Sequence, residues 1–158
     1  MSKLRGFLFQ FSYMFLYPFM IILLLFYTPV LRGDTVVFMT DAGQVPVFVE
    51  VADNPIKQQQ GLMNRTELKK DSGMLFIFGD ETMRHFWMKN TLIPLDMIFI
   101  DSDGEIVHIH KNVQPCKTTI CDTYGSNKPA KYVVEVIGGY TDKKGIDIGD
   151  KVKIPSNI

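Results

Sequence analysis

Val45, Val47, Val49 and Val51 recur at every second position, which sets four β-branched side chains on one face of an extended strand. Asp53-Asn54-Pro55 ends that alternation with a capping side chain and a proline suited to the first helical position. A short helix is therefore predicted over residues 56–62, with the polar run Lys57-Gln58-Gln59-Gln60 as its solvated face. Further strand signals cover residues 74–78, 84–88 and 95–100. Asp103-Gly104 is a favoured hairpin turn leading into a strand over residues 105–111. After a turn-rich stretch come a strand at residues 132–137 and a short helix near 141–144, stopped by Gly145. A last strand is predicted near residues 151–154. Short strands with frequent turns predict a mainly β fold, a compact distorted sandwich or barrel with one or two short helices. No internal repeat or low-complexity segment interrupts it.

The N-terminus has a different pattern. Lys3 and Arg5 precede residues 6–31, which contain no charged side chain, and residues 19–27, FMIILLLFY, are continuously apolar or aromatic. A basic start followed by such a run is the pattern of a signal peptide or of a membrane-spanning helix, which needs ~20 apolar residues. A cut after Gly33 would leave bulky Leu31 three residues upstream, so an uncleaved hydrophobic anchor helix is favoured over a cleaved signal. The expected organisation is an anchor or signal at residues 1–33 and one extracytoplasmic β domain at 34–158, held at the membrane or released to the periplasm.

Charge narrows the partners. All 17 Asp and Glu lie from Asp34 onward, whereas Lys3, Arg5 and Arg32, three of the 17 Lys and Arg, lie before it. The exported part is thus mildly acidic and has no basic run, which argues against nucleic acid as a partner and against lipid headgroups beyond the anchor.

The densest candidate chemistry is FWMKNTLIPLDMIFID, residues 86–101, where Trp87, Lys89, Asn90, Thr91 and Asp96 accompany a strongly apolar strand. That run, together with GLMNRTEL (61–68), GMLFIF (73–78), IDSDGEIV (100–107), NVQPC (112–116), YVVEVIGGY (132–140) and GIDIGD (145–150), resembles the bacterial and archaeal family known as domain of unknown function 192. The resemblance spans nearly all of the chain beyond the N-terminal segment. It implies a compact, mainly β sandwich, commonly behind a signal or anchor, and a set of site positions without an activity. Two positions depart from the family pattern: Asn64 stands where relatives commonly place an aromatic, and Gly138 where many have alanine.

Asp96 shares its strand face with Ile98 and Ile100, while Leu95, Met97 and Phe99 occupy the other. A carboxylate on an apolar row needs a partner, because burying it unpaired costs several kcal/mol. Arg65, Lys89 and the Asn90–Thr91 turn are the candidates. Either Asp96 braces the 89–94 loop through backbone N–H groups, or Arg65, Lys89 and Asp96 form a charged rim around Trp87. Trp87 itself fits either a core or a ligand platform.

Cys116 and Cys121 are too far apart in sequence for the usual two-residue redox spacing, and in an oxidising compartment they default to a disulfide. His108 and His110 share a strand face, as do Met83, His85 and Trp87, but neither set completes a metal shell. The run from Asp101 to Glu105 lacks the later ligands of a calcium loop and suits a hairpin better. No serine elbow, metalloprotease helix or phosphate-cradling loop is present, so no cofactor is implied. The expected function is a non-catalytic module that binds a small polar ligand, a carbohydrate or an envelope protein through Arg65, Trp87, Lys89, Asn90, Thr91 and Asp96. The alternative is a small hydrolase or lyase using Asp96 with Lys89 or Arg65.

Overall fold

The computed structural model describes residues 34–156, so the hydrophobic helix expected over residues 1–33 lies outside the described residues. No helix among the described residues is long and apolar enough to cross a membrane. The strands are β1 (Asp34–Thr40), β2 (Gly43–Ala52), β3 (Ser72–Thr82), β4 (His85–Trp87), β5 (Leu95–Ile100), β6 (Ile106–Val113), β7 (Thr123–Gly125), β8 (Ala130–Ile137) and β9 (Lys151–Lys153). Helix α1 is Pro55–Gln60 and α2 is Tyr140–Lys144.

In place of two stacked sheets, seven strands join in one sheet of order β6-β5-β8-β3-β2-β1-β9, and β4 and β7 form a separate two-stranded ribbon. The large sheet is curled into a half-barrel. Its two edges meet: Glu105 bridges Lys151, Ile106 N–H donates to the Asp150 carbonyl, and Val152 N–H donates to the Gly104 carbonyl. Gly104 makes this approach possible. Its φ is +77°, and a Cβ there would sit 2.6 Å from the Val152 carbonyl oxygen. The Asp101 carboxylate fixes the same turn by accepting from the N–H groups of Asp103 and Glu105. These bonds make the 101–105 run a hairpin turn.

The curl explains how the apolar residues divide. One core holds Val36 and Phe38 of β1, Val47 and Val49 of β2, Ile106 and Ile109 of β6 and Val152 of β9, so both edge strands contribute to a single interior. The valine row of β2 belongs here, with Val45 and Val51 packed at its margin. A second core on the other face gathers Phe76, Leu95, Met97, Phe99 and Val133. Strand β5 is central to both, and all six of its residues are buried. This is why an alternating pattern with apolar side chains on each face was visible in it.

Strands β2 and β3 pair in parallel and are connected through α1. The Asn54 side chain accepts from Lys57 N–H, Pro55 opens the helix, and Gly61 at φ 48° closes it. Gln58 then ties α1 to the sheet by donating to the Ile77 carbonyl at 2.7 Å. Near the β4–β7 ribbon, Cys116 and Cys121 form a disulfide with an S–S distance of 2.11 Å. Closing so short a loop contributes about 2 kcal/mol in the chain-entropy view.

Candidate functional site

The site is built where two loops meet beside the second core. The first follows α1 and the second follows β4, and Asn64 N–H donates to the Asn90 carbonyl at 2.8 Å between them. Both asparagines take left-handed backbone conformations, φ 61° and 56°, which Asn tolerates better than most residues. The Met88 carbonyl holds the second loop by accepting from Thr91 N–H and Cys116 N–H.

Two adjoining depressions result. One, of about 260 Å³, has aromatic walls from Phe76, Phe78, Phe86 and Trp87, with Leu62 and Met63 beside them. Its polar lining includes Gln58, His85, Thr91 and Glu135. The other, of about 330 Å³, lies between α1 and the second loop and is lined by Ile56, Trp87, Lys89 and Asn90. Gln59, Gln60, Met63 and Trp87 border both. Phe86 anchors the aromatic wall through edge-to-face contacts with Phe76 and Phe99, at 5.0 and 5.7 Å between centroids. Cations already rest on these rings. The Arg84 guanidinium lies 3.9 Å from the Phe78 centroid, and the Lys89 ammonium lies 5.3 Å from that of Trp87.

Of the residues expected to form the site, Trp87, Lys89, Asn90 and Thr91 come together around these depressions. Arg65 shares the first loop but pairs with Glu50 at 2.7 Å on the surface and lines neither depression. Asp96 lines neither as well. Its carboxylate is fully buried and accepts four hydrogen bonds. Oδ1 takes Asn112 N–H at 2.7 Å and Gly139 N–H at 2.8 Å. Oδ2 takes Thr141 N–H at 2.8 Å and the Thr141 hydroxyl at 2.7 Å. None of the partners anticipated from sequence is among them. The reason is α2, whose cap residue Gly139 has no side chain to satisfy the first N–H groups, so Asp96 does so from β5.

Glu135, which sequence reasoning did not single out, is the unusual group. It is 4% exposed, lines the aromatic depression, and has no side-chain hydrogen bond or ion pair among the described residues. Its ladder neighbours are Met74 on β3 and Met97 on β5, both buried and uncharged. Burial alone pushes its carboxyl up to about 8, which keeps it largely protonated at neutral pH. The signal was present in the sequence: Glu135 interrupts an apolar row between Val133 and Ile137, just as Asp96 does in β5.

His108 and His110 stack edge-to-face with ring centroids 4.5 Å apart. His110 Nε2 lies 2.8 Å from the Gly125 carbonyl oxygen. No group of three or more His, Cys, Asp or Glu among the described residues could hold a metal ion.

The DUF192 family, described as Uncharacterized ACR, matches residues 37–154. The chain belongs to this family. Among its relatives, the UPF0127 protein of Pyrococcus abyssi is 33% identical over 110 residues, covering 66% of this chain and 84% of that protein. The UPF0127 protein of Pyrococcus furiosus is 27% identical over 117 residues, covering 73% and 93%. A solved structure from Sinorhizobium meliloti, provisionally named a transcription regulator, is similar with TM-score 0.72 and 38% identity over 77% of this chain and 93% of that one. A protein of unknown function from Novosphingobium aromaticivorans gives TM-score 0.71 and 35% identity over 75% and 83%. Asn64 supplies the left-handed turn and the N–H that join the two site loops. Gly138 admits Pro94 and Asn112, since a Cβ there would lie 2.9 Å from the Pro94 Cβ and 2.7 Å from Asn112 Oδ1.

Proposed function

We propose that this domain is a non-catalytic binding module for a small ligand with polar groups, held in the two adjoining depressions around Trp87. One observation carries the reading: two concavities of about 260 and 330 Å³ share the Trp87 wall, and their linings divide nearly evenly between polar side chains and apolar or aromatic ones. An aromatic wall with convergent polar groups beside it can orient a small ligand, and the large polar share calls for a ligand that itself carries polar groups. Volumes of this size favour a small ligand over an envelope protein. The geometry gives no support to catalysis by Asp96, whose oxygens are occupied by four donors, or by Arg65, which is paired to Glu50. The name carried by the Sinorhizobium meliloti relative gains nothing from the charge of this chain, which has no basic run to neutralise phosphates.

The test uses Trp87, the single tryptophan of the chain, half-exposed on the shared wall. A ligand screened by thermal shift should raise the melting temperature and change Trp87 fluorescence in parallel. Stabilising ligands that leave the fluorescence untouched would place the binding site elsewhere.

We also infer export, with the N-terminal segment as an uncleaved anchor, from the charge-free residues 6–31 behind Lys3 and Arg5. The disulfide agrees with an oxidising compartment. Full-length protein is expected in the membrane fraction. A mature N-terminus found between Tyr27 and Thr40 would overturn the anchor and leave export standing.

A further inference from the structure

We propose that the aromatic depression is a subsite for an organic ammonium group, either a primary or a methylated amine, whose positive charge is met by the Glu135 carboxylate and the ring faces of Phe86 and Trp87. The proposal rests on the binding reading above and names the ligand class for that site.

A carboxyl group 4% exposed and without a protein partner among the described residues is costly to the fold, since only a narrow contact with solvent at the depression offsets its desolvation. Folding gains nothing from leaving Glu135 there, whereas a site that receives an opposite charge does. The elements around it supply no such charge. Across the ladders it meets only Met74 and Met97, and α1 contributes the uncharged Gln58, Gln59 and Gln60 to the depression. His85 is the only other titratable group on the lining. Nearby charges are already engaged: Arg84 with Asp80 and the Ala130 carbonyl, Glu50 with Arg65, and Lys89 on the Trp87 ring.

The walls select the sign of the ligand. Aromatic faces carry negative quadrupole potential and attract cations, and two rings of this cluster already hold a guanidinium and an ammonium. An anion would meet the ring faces unfavourably and, once pH exceeds about 8, the ionised carboxylate as well. A metal ion would find a single carboxylate and no shell of ligands. A volume of about 260 Å³ fits a small organic cation. Binding involves no covalent step. At neutral pH the incoming cation exchanges for the Glu135 proton, which passes to buffer.

The experiment uses the full-length chain in a zwitterion-free, nonionic detergent and follows Trp87 fluorescence together with calorimetry. Choline and ethanolamine are compared with 3,3-dimethylbutan-1-ol, the neutral isostere of choline. The cations are expected to bind at least about tenfold more tightly than the isostere. Their affinity should rise between about pH 6 and 8, and enthalpies in two buffers should report proton release. In Glu135→Gln the preference for cations and the proton release should both disappear. Nonionic vesicles with and without phosphatidylethanolamine distinguish the sources: a response to the lipid but not to free ethanolamine would assign the amine to a headgroup at the same subsite. Equal affinity for choline and its isostere, or an unchanged preference in Glu135→Gln, would overturn the proposal. Should neutral polyols bind at Trp87 while amines do not, the binding reading stands and this inference fails. If no small ligand of any charge perturbs Trp87, both fail.

Discussion

Asp96→Ala is expected to lower the unfolding free energy by about 3–5 kcal/mol, the usual range for removing one partner from a buried charged arrangement. The change strips the acceptor from three backbone N–H groups, those of Asn112, Gly139 and Thr141, and from the Thr141 hydroxyl. Thr141 is itself fully buried, so water cannot replace the lost oxygen without opening the fold. A loss of this size is a large share of the ~5–15 kcal/mol that stabilises a typical domain. Asp96→Asn should also be damaging, because its amide nitrogen would face donors where the carboxylate offers an acceptor on each side. Thr141→Val should cost less, removing one of the four bonds. Urea unfolding monitored by circular dichroism gives the order directly: Ala lowest, Asn intermediate, Val nearest to wild type. A midpoint for Asp96→Ala close to wild type would sink the brace assignment.

Asp96 also marks where sequence reading stopped. That this carboxylate required a partner followed from its place between apolar neighbours. Its actual partners lie 16 to 45 residues away, on β6 and at the start of α2, and no local pattern points to them. By contrast, the alternating faces of β5, the valine row of β2, the Asn54 cap and the Gly145 stop are all local and all legible. The curl of the sheet is not local. It depends on Gly104 admitting the Val152 carbonyl and on two edge strands closing over one core, so a sandwich of two sheets was as natural a reading of the same strands. At the site, the segment around Trp87 was visible because its polar residues are contiguous. Glu135 comes from a strand far along the chain, and its importance depends on what fails to surround it. Arg65 shows the converse: its chemistry was conspicuous, but Glu50 across the sheet surface holds it outside both depressions.

Glu135→Gln should stabilise the protein, and by an amount that grows with pH. In the folded chain the Glu135 carboxyl holds its proton up to about 8, whereas in the unfolded chain it releases it near 4.5. Between those values the folded state binds more protons than the unfolded state, so wild-type stability falls as pH rises through this window. The displacement corresponds to on the order of 5 kcal/mol once pH exceeds about 8. A glutamine side chain is close to isosteric with the protonated acid and carries no charge to bury, so the variant escapes the loss. At about pH 5 the two proteins should be nearly equal, and at about pH 8.5 the variant should be more stable by several kcal/mol. Other groups titrate too, which is why the difference between the proteins is the quantity to follow. Asp53, Asp71 and Asp80 are held below the ordinary 3.8 by hydrogen bonds from Lys57, Lys144 and Arg84, and they lose their contributions only as pH falls into the acid range. His108 is held below 6.5 by burial and then by the nearby His110, so its effect opposes that of Glu135 and cancels in the comparison. Thermal or urea unfolding from about pH 5 to 9 measures the divergence. Parallel curves would mean that the carboxyl already has a compensating partner in the folded protein, and that would remove the physical motive for a cation to bind beside it.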